Sequence, residues 1–266
     1  MDRSVPCDTR AAYDALAPVY HGLTAHHDHE GWLAQLLGVA SDHGLAGRRL
    51  LDVACGTGKS FMPLVRRGFD VTACDISPRM AARARRRARG HGVRIHVADM
   101  RRLPLLCEGA DLVTCLDDAV NYLLDGDELR AGLGGMCRNL RPGGLALFDV
   151  NTLATYRAVF CEGLSWSSGE HTYASVGEPR RVCAGGLFAT TLRARRGDHL
   201  LAECRHVQRH HPAAELERAL SAAGLEPLGI YGSAEDGRPV RPPDEQRHTK
   251  LGVVARRPPV AKRERR

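Results

Sequence analysis

The sequence predicts an α/β protein: a seven-stranded, mostly parallel sheet with helices on both faces, an antiparallel β insertion and an N-terminal helical lid. Three observations carry that expectation. First, Leu50-Leu51-Asp52-Val53-Ala54 is an apolar run suited to a buried parallel strand, and Gly56-Thr57-Gly58 then leads into a helix opening at Lys59-Ser60-Phe61. Second, strand and helix patterns alternate over residues 48–160. Third, from about residue 160 to 211 strand patterns follow one another, with turns at Gly185-Gly186 and Gly197-Asp198.

The glycine turn makes a site for a nucleotide-like ligand, because bare backbone lets the ligand approach closely. Spacing separates the ligand classes. A phosphate loop of the form G-x-x-x-x-G-K-[ST] needs glycine at position 53, where Val53 stands. A dinucleotide fingerprint needs a small residue at position 61, where Phe61 stands. Further strands follow at Phe69 to Cys74, Val93 to Val97, Asp111 to Leu116 and Leu145 to Val150. Carboxylates stand just past three of their C-terminal ends, at Asp75, Asp99 and Asp117. Open α/β sheets bind ligands at that edge.

These residues resemble the class I S-adenosylmethionine-dependent methyltransferases, whose signature is an acidic residue near the end of the first strand and then G-x-G, as in Asp52 to Gly58. The resemblance covers roughly residues 10–256. It implies a Rossmann-like sheet and S-adenosyl-L-methionine as cofactor, leaving as S-adenosyl-L-homocysteine. It also implies that Asp75 accepts hydrogen bonds from both ribose hydroxyls. Ile76 and Met80 then pack on adenine, Asp99 meets the adenine amino group, and the Met100 backbone meets the ring. Asp52, Ala54, Cys55, Gly56, Gly58, Leu116 and Tyr13 complete the implied cofactor set.

The pattern Tyr13-Asp14-x-Leu16-Ala17-x-x-Tyr20 resembles the N-terminal lid of small-molecule methyltransferases. Tyr13, Tyr20 and His21 are therefore the candidate catalytic residues, in a reaction driven mainly by proximity and orientation. The lid carries little apolar surface and is expected to be mobile until cofactor binds. Candidate acceptor contacts are Tyr20, Trp32, Asp117, Asn121, Tyr122, Asn151, His206 and His210. Asp117 to Leu123 follows the fourth strand, and His206, Gln208 and His210 share one face of the last insertion strand. The implied reaction methylates nitrogen or oxygen of a small molecule, a secondary metabolite or sugar. No N-P-P-[YF] motif follows the fourth strand, which argues against DNA or protein glutamine as target.

Composition bounds the remaining alternatives. The chain has 266 residues, of which 43% are hydrophobic, and no apolar run approaches the ~20 residues of a membrane span. Nothing at the N-terminus reads as a signal peptide, so a cytoplasmic protein is expected. Nine cysteines are scattered without C-x-x-C spacing, and the four histidines between His21 and His29 lack partners at zinc spacing, so no metal is expected. The net charge of +7 divides into +5 from residues 256–266, +6 from residues 79–89, and so 7 − 5 − 6 = −4 for the rest. The Arg-rich helix and basic tail keep a tRNA or rRNA methyltransferase as an alternative, and a non-catalytic cofactor-bound regulator is another. Neither nucleic acid nor membrane is the expected partner, and the chain reads as a monomer or homodimer. The expected divisions are a lid at 1–47, a cofactor core at 48–160, the insertion at 161–211, a return to the core at 212–256 and a disordered tail at 257–266.

Overall fold

The computed structural model describes residues 8–25, 28–178, 180–234 and 236–259. Most of the basic tail, and His26 and His27, thus lie outside the described residues. The chain opens with three helices, α1 (Thr9–Leu16), α2 (Tyr20–Leu23) and α3 (His29–Asp42). Strands and helices then alternate: β1 (Arg49–Val53), α4 (Met62–Arg66), β2 (Asp70–Asp75), α5 (Pro78–Arg87), β3 (Arg94–Val97), β4 (Ala110–Cys115), α6 (Gly126–Asn139) and β5 (Leu140–Asn151). After α7 (Leu153–Thr155) and a π-helical turn, Tyr156–Glu162, comes the antiparallel segment β6 (Leu164–Ser168), β7 (His171–Gly177), β8 (Leu187–Arg196) and β9 (His199–Arg209). The chain returns through α8 (Ala213–Ala222), β10 (Glu226–Ser233), β11 (Pro239–Val240) and β12 (Lys250–Arg256).

The main sheet has the order β11-β10-β12-β5-β4-β1-β2-β3. Strands β1 to β5 run parallel, and β12 enters antiparallel between β5 and β10. Successive side chains alternate faces, and both faces are covered. On one face Leu51, Val113, Ala146 and Phe148 pack with Leu129, Leu133 and Met136 of α6 and Leu216 and Leu220 of α8. On the other, Leu50, Leu112, Leu145 and Leu147 pack with Leu33 and Leu36 of α3, Leu64 of α4 and Ala84 of α5. Seven strands were expected. The eighth, β11, is a two-residue edge segment paired with the end of β10.

The insertion forms its own four-stranded sheet, β6-β7-β8-β9. Its first strand, Leu164-Ser165-Trp166-Ser167-Ser168, was not anticipated, because a serine-rich segment next to glycine reads as a turn. The lid also differs from expectation. Leu16, Ala17 and Leu23 are buried against Met80 of α5 and Tyr173 of β7. Polar ties add to that packing: Ser77 Oγ donates to Asp14 Oδ1 (2.5 Å), and Lys59 Nζ donates to Thr24 Oγ1 (2.6 Å) and to the carbonyls of His21 and Thr24 (both 3.2 Å). The arginines of α5 lie mostly on its outer face, while Met80, Ala81 and Ala84 are buried. No helix among the described residues is long and apolar enough to cross a membrane.

Candidate active site

The glycine turn follows directly from β1. Ala54 adopts φ +56°, an unusual left-handed conformation for a residue with a Cβ, and Gly56 (φ +54°) and Gly58 (φ +85°) follow. Helix α4 begins only at Met62, so the intervening turn, not a helix terminus, faces the ligand edge. Asp75, at the end of β2, accepts from Gly56 N–H and Ser77 N–H, both at 2.8 Å. Burial raises its pKa to about 6, and those two bonds oppose the shift. Asp52 is almost wholly buried behind the turn, accepting from Thr114 Oγ1 and Ser60 Oγ, both at 2.6 Å. Burial carries its pKa to about 7 despite the two hydroxyls.

Two small cavities, which share Ala54, Ile76 and Met100 in their walls, lie along this edge. One, of about 60 Å³, is bounded by Ala54, Cys55, Gly56, Asp75, Ile76, Met100 and Leu116, and is roofed by Tyr13 and Tyr20. The other, of about 40 Å³, reaches Ile76, Asp99, Met100 and Arg101. Asp99 is partly buried, but its hydrogen bonds to Arg101 hold the carboxyl below the usual carboxylate range. Thr57 Oγ1, on the wall of the first cavity, is buried without a hydrogen-bond partner. Bare glycine backbone, an acid at the end of β2, a second acid past β3 and a buried unpaired hydroxyl fit a ligand with ribose, adenine and amino-acid parts. The space itself is small, since sites for ligands of that size run to roughly 300–1,000 Å³.

A much larger cavity, of about 730 Å³, opens beside these, between the lid, the ends of β4 and β5, and the inner face of the insertion. Tyr13, Tyr20, His29, Asp117 and Tyr122 line both it and the first small cavity. At the end of β4, Asp117 (φ +58°) and Asp118 (φ +54°) are consecutive left-handed residues, a strained turn that aims two carboxylates differently. Asp117 Oδ2 lies 2.9 Å from His29 Nδ1. Asp118 Oδ2 accepts from Gln208 Nε2 (2.6 Å), and Asp118 N–H donates to Asp149 Oδ1 (2.6 Å). Trp32 Nε1 donates to Asp149 Oδ2 (2.7 Å). Lys250 Nζ stands 3.3 Å from both Asp118 and Asp149 and 4.0 Å from Asp117. Burial disfavours its charge, but the carboxylates of Asp149, Asp118 and Asp117 outweigh burial and hold its pKa above the ordinary lysine value. Burial raises the Asp118 pKa, and Lys250 opposes this.

A second chain of polar groups crosses the cavity wall. Tyr13 OH donates to Tyr122 OH (2.9 Å), which lies 2.7 Å from His206 Nδ1, and His206 Nε2 lies 3.2 Å from Cys204 Sγ. Burial lowers the His206 pKa to about 4, so the ring is neutral and its Nδ1 accepts from Tyr122. Burial raises the pKa of Tyr13 and Tyr20 well above the ordinary phenol value, so both keep their protons.

The structure gathers Tyr13, Tyr20, Trp32, Asp117, Tyr122, Asn151 and His206 around the large cavity. It places several expected site residues elsewhere. His21 is exposed on α2, where Lys59 and partial burial lower its pKa, and it lines neither cavity. Met80 is wholly buried beneath the lid, because the inner face of α5 packs on α1. Asn121 ties loops together, donating to the Arg209 carbonyl and accepting from Asn151 N–H. His210 is buried 2.6 Å from Glu245. Asp52 braces the glycine turn from behind, and Gly58 is not on the cavity wall: a Cβ there would meet Phe61 at 2.7 Å. Conversely, Asp118, Lys250, Gln208, His29 and Thr57 were not anticipated as site residues. Among the described residues no group of His, Cys, Asp and Glu is placed to hold a metal ion.

Comparison with known proteins places this geometry. Residues 50–144 match the profile of a methyltransferase domain. A protein of Geobacillus sp. strain WCH70, whose methyltransferase name is provisional, is 32% identical over 162 residues, which are 59% of this chain and 65% of that one. The alignment therefore spans less than two thirds of that relative's length. The solved structure of an S-adenosylmethionine-dependent methyltransferase from Clostridium acetobutylicum superposes with a TM-score of 0.76 at 21% identity, covering 92% of this chain and 99% of the other. The S-adenosylmethionine-bound structure of CalS10 from Micromonospora echinaspora, an amino pentose methyltransferase of calicheamicin biosynthesis, does so with a TM-score of 0.61 at 26% identity, covering 97% and 99%. Residues 50–144 thus match a methyltransferase domain, and the chain has the Rossmann-like fold of the S-adenosylmethionine-dependent methyltransferases.

Proposed function

We propose that this protein transfers the methyl group of S-adenosylmethionine to a nitrogen or oxygen of a small molecule, a secondary metabolite or sugar. One observation carries the reading. Tyr13, Tyr20, His29, Asp117 and Tyr122 stand between the glycine-turn cavity and the large cavity, so a group bound at the first can react with a molecule held in the second. The amino pentose methyltransferase of similar fold is consistent with it.

When bound, S-adenosylmethionine supplies a methyl carbon already activated by a positive sulfur. The chain's own residues then have modest work. Gly56, Asp75, Ile76, Asp99 and Met100 would hold the ligand at the sheet edge. Tyr13 and Tyr20 exclude water and position the acceptor. The acceptor's nitrogen or oxygen gains the carbon as the carbon–sulfur bond breaks, and it must release a proton. That proton leaves to solvent; burial keeps Tyr13 protonated and His206 neutral, so the Tyr13–Tyr122–His206 chain orients the acceptor and does not take its proton.

The reading is tested by calorimetric titration with S-adenosylhomocysteine across pH. The ribose hydroxyls donate to Asp75, so binding favours the carboxylate and lowers its pKa. Affinity should be level above pH about 7 and fall by up to about ten-fold per unit once the pH passes below about 6. Asp75→Asn should bind more weakly at pH 8 and lose that slope. No binding by the folded wild-type protein at any pH would reject the function. Binding with an unchanged slope in the variant would remove Asp75 from the ribose site.

A further inference from the structure

Resting on the methyltransferase reading, we infer that the acceptor is an amine, recruited as its cation and carried on an apolar body that bears no phosphate; it gives one proton to the Asp117 carboxylate, which frees the nitrogen's electron pair for the methyl group. The large cavity has two chemically different walls. Asp117 and Asp118 form its floor, with Asp149 directly behind them, and Asp28 and Asp236 stand on its rim. Lys250 is the one lysine or arginine among the described residues that line it, and it already contacts three of these carboxylates. Neutral His206 adds no charge. Asp28 is engaged as the cap of α3, and Asp236 is paired with Arg238, so the floor decides the local sign. Even with the His29 ring, 2.9 Å from Asp117, counted as a cation beside Lys250, three carboxylates leave the floor an excess of negative charge.

That sign selects the ligand. A cation moved into this partly dry space gains from the carboxylates, whereas a carboxylate or phosphate is repelled by them. A sugar joined to a nucleoside diphosphate would need cations to hold its pyrophosphate. Among the described residues the lining offers no lysine or arginine besides one that is already committed.

The opposite wall is apolar. Leu164, Trp166 and Leu192 face inward from the insertion, and Leu16 and Leu23 face them from the lid. Trp166 stacks on Tyr173 with centroids 5.7 Å apart and 19° between planes, which presents a flat, rigid surface. Leu164 is still 47% exposed, apolar surface that an apolar ligand would cover. The acceptor's amine thus meets the carboxylate floor beside the glycine-turn cavity, and its body lies under the insertion.

The chain has two tryptophans, and both Trp32 and Trp166 line this cavity, so intrinsic fluorescence reports its occupancy. With S-adenosylhomocysteine at saturation, 4-phenylbutylamine, 4-phenylbutanol, 4-phenylbutanoate and thymidine diphosphate glucose would each be titrated. The amine should bind at least about ten-fold more tightly than the alcohol, with the two anions weaker still. Asp118→Asn should remove most of the amine's advantage and leave the alcohol unchanged, whereas Trp166→Ala should weaken amine and alcohol alike. Circular dichroism would establish that each variant is folded. An amine no tighter than the alcohol, an amine that does not bind, or a nucleotide sugar that binds more tightly than the amine would overturn the inference. Calorimetry with S-adenosylhomocysteine separates the two claims: cofactor binding without amine preference rejects this inference alone, and no cofactor binding rejects the methyltransferase reading.

Discussion

Lys250→Met should lower stability by about 3–5 kcal/mol at pH 7.5, the scale for removing one partner of a buried ion cluster. Lys250 is the only cation within reach of Asp118 and Asp149 among the described contacts, and Asp149 is wholly buried. Methionine fills a similar volume without charge, so the substitution isolates electrostatics from packing. The variant's two carboxylates, one of them wholly buried, would then face each other without a counter-cation. The sign of the pH effect follows. Burial already raises the Asp118 pKa in the wild type, and losing Lys250 raises it further, so the variant gains protons more readily than the unfolded chain. Its deficit should therefore be largest at pH 7.5 and shrink as the pH falls towards 5. Urea unfolding at both values measures this. A deficit below about 1 kcal/mol at pH 7.5 would show that the cluster is solvated.

Gly56→Val is expected to reduce S-adenosylhomocysteine affinity by at least about 100-fold, measured by calorimetry. Two effects add. Gly56 sits at φ +54°, where a β-branched residue is strongly disfavoured. Its missing Cβ would also point across the small cavity, 3.7 Å from Tyr20 Cε1. The two valine methyls would fill the gap between the glycine turn and the lid. Folding should be only moderately affected, because the space is open and the nearest neighbour lies at ordinary contact distance. Retained affinity in a folded variant would mean that the ligand does not pass between Gly56 and Tyr20.

The sheet was legible because its strands are buried on both faces and so read as apolar runs, as in Leu50 to Val53 and Leu145 to Val150. The glycine turn was legible from spacing. The large cavity was only half legible, because its walls come from segments far apart in sequence. Lys250 opens an apolar strand, where a lysine reads as a solvated end. Its role exists only because antiparallel pairing sets it against Asn151, two residues beyond Asp149. Asp117 and Asp118 are neighbours in the chain, but the left-handed conformation of both sends one towards His29 and the other towards Gln208. Sequence pattern carries no signal for that divergence. Met80 shows the reverse failure: the family resemblance implies an adenine contact, whereas the side chain packs on the lid.

The closed lid has a kinetic consequence. Tyr13 and Tyr20 leave about 60 Å³ beneath them, far less than a nucleoside-sized molecule occupies. Cofactor exchange therefore requires α1 and α2 to lift, breaking the bonds from Lys59 to Thr24 and from Ser77 to Asp14. The lid also packs on the insertion, where Tyr173 OH donates to the Val19 carbonyl, so those contacts break as well. Entry of each fresh cofactor then waits on the opening of residues 9–24, and the turnover number has that rate as its upper bound. Weakening the tether at Thr24 would speed cofactor entry without changing any group that touches the reacting atoms.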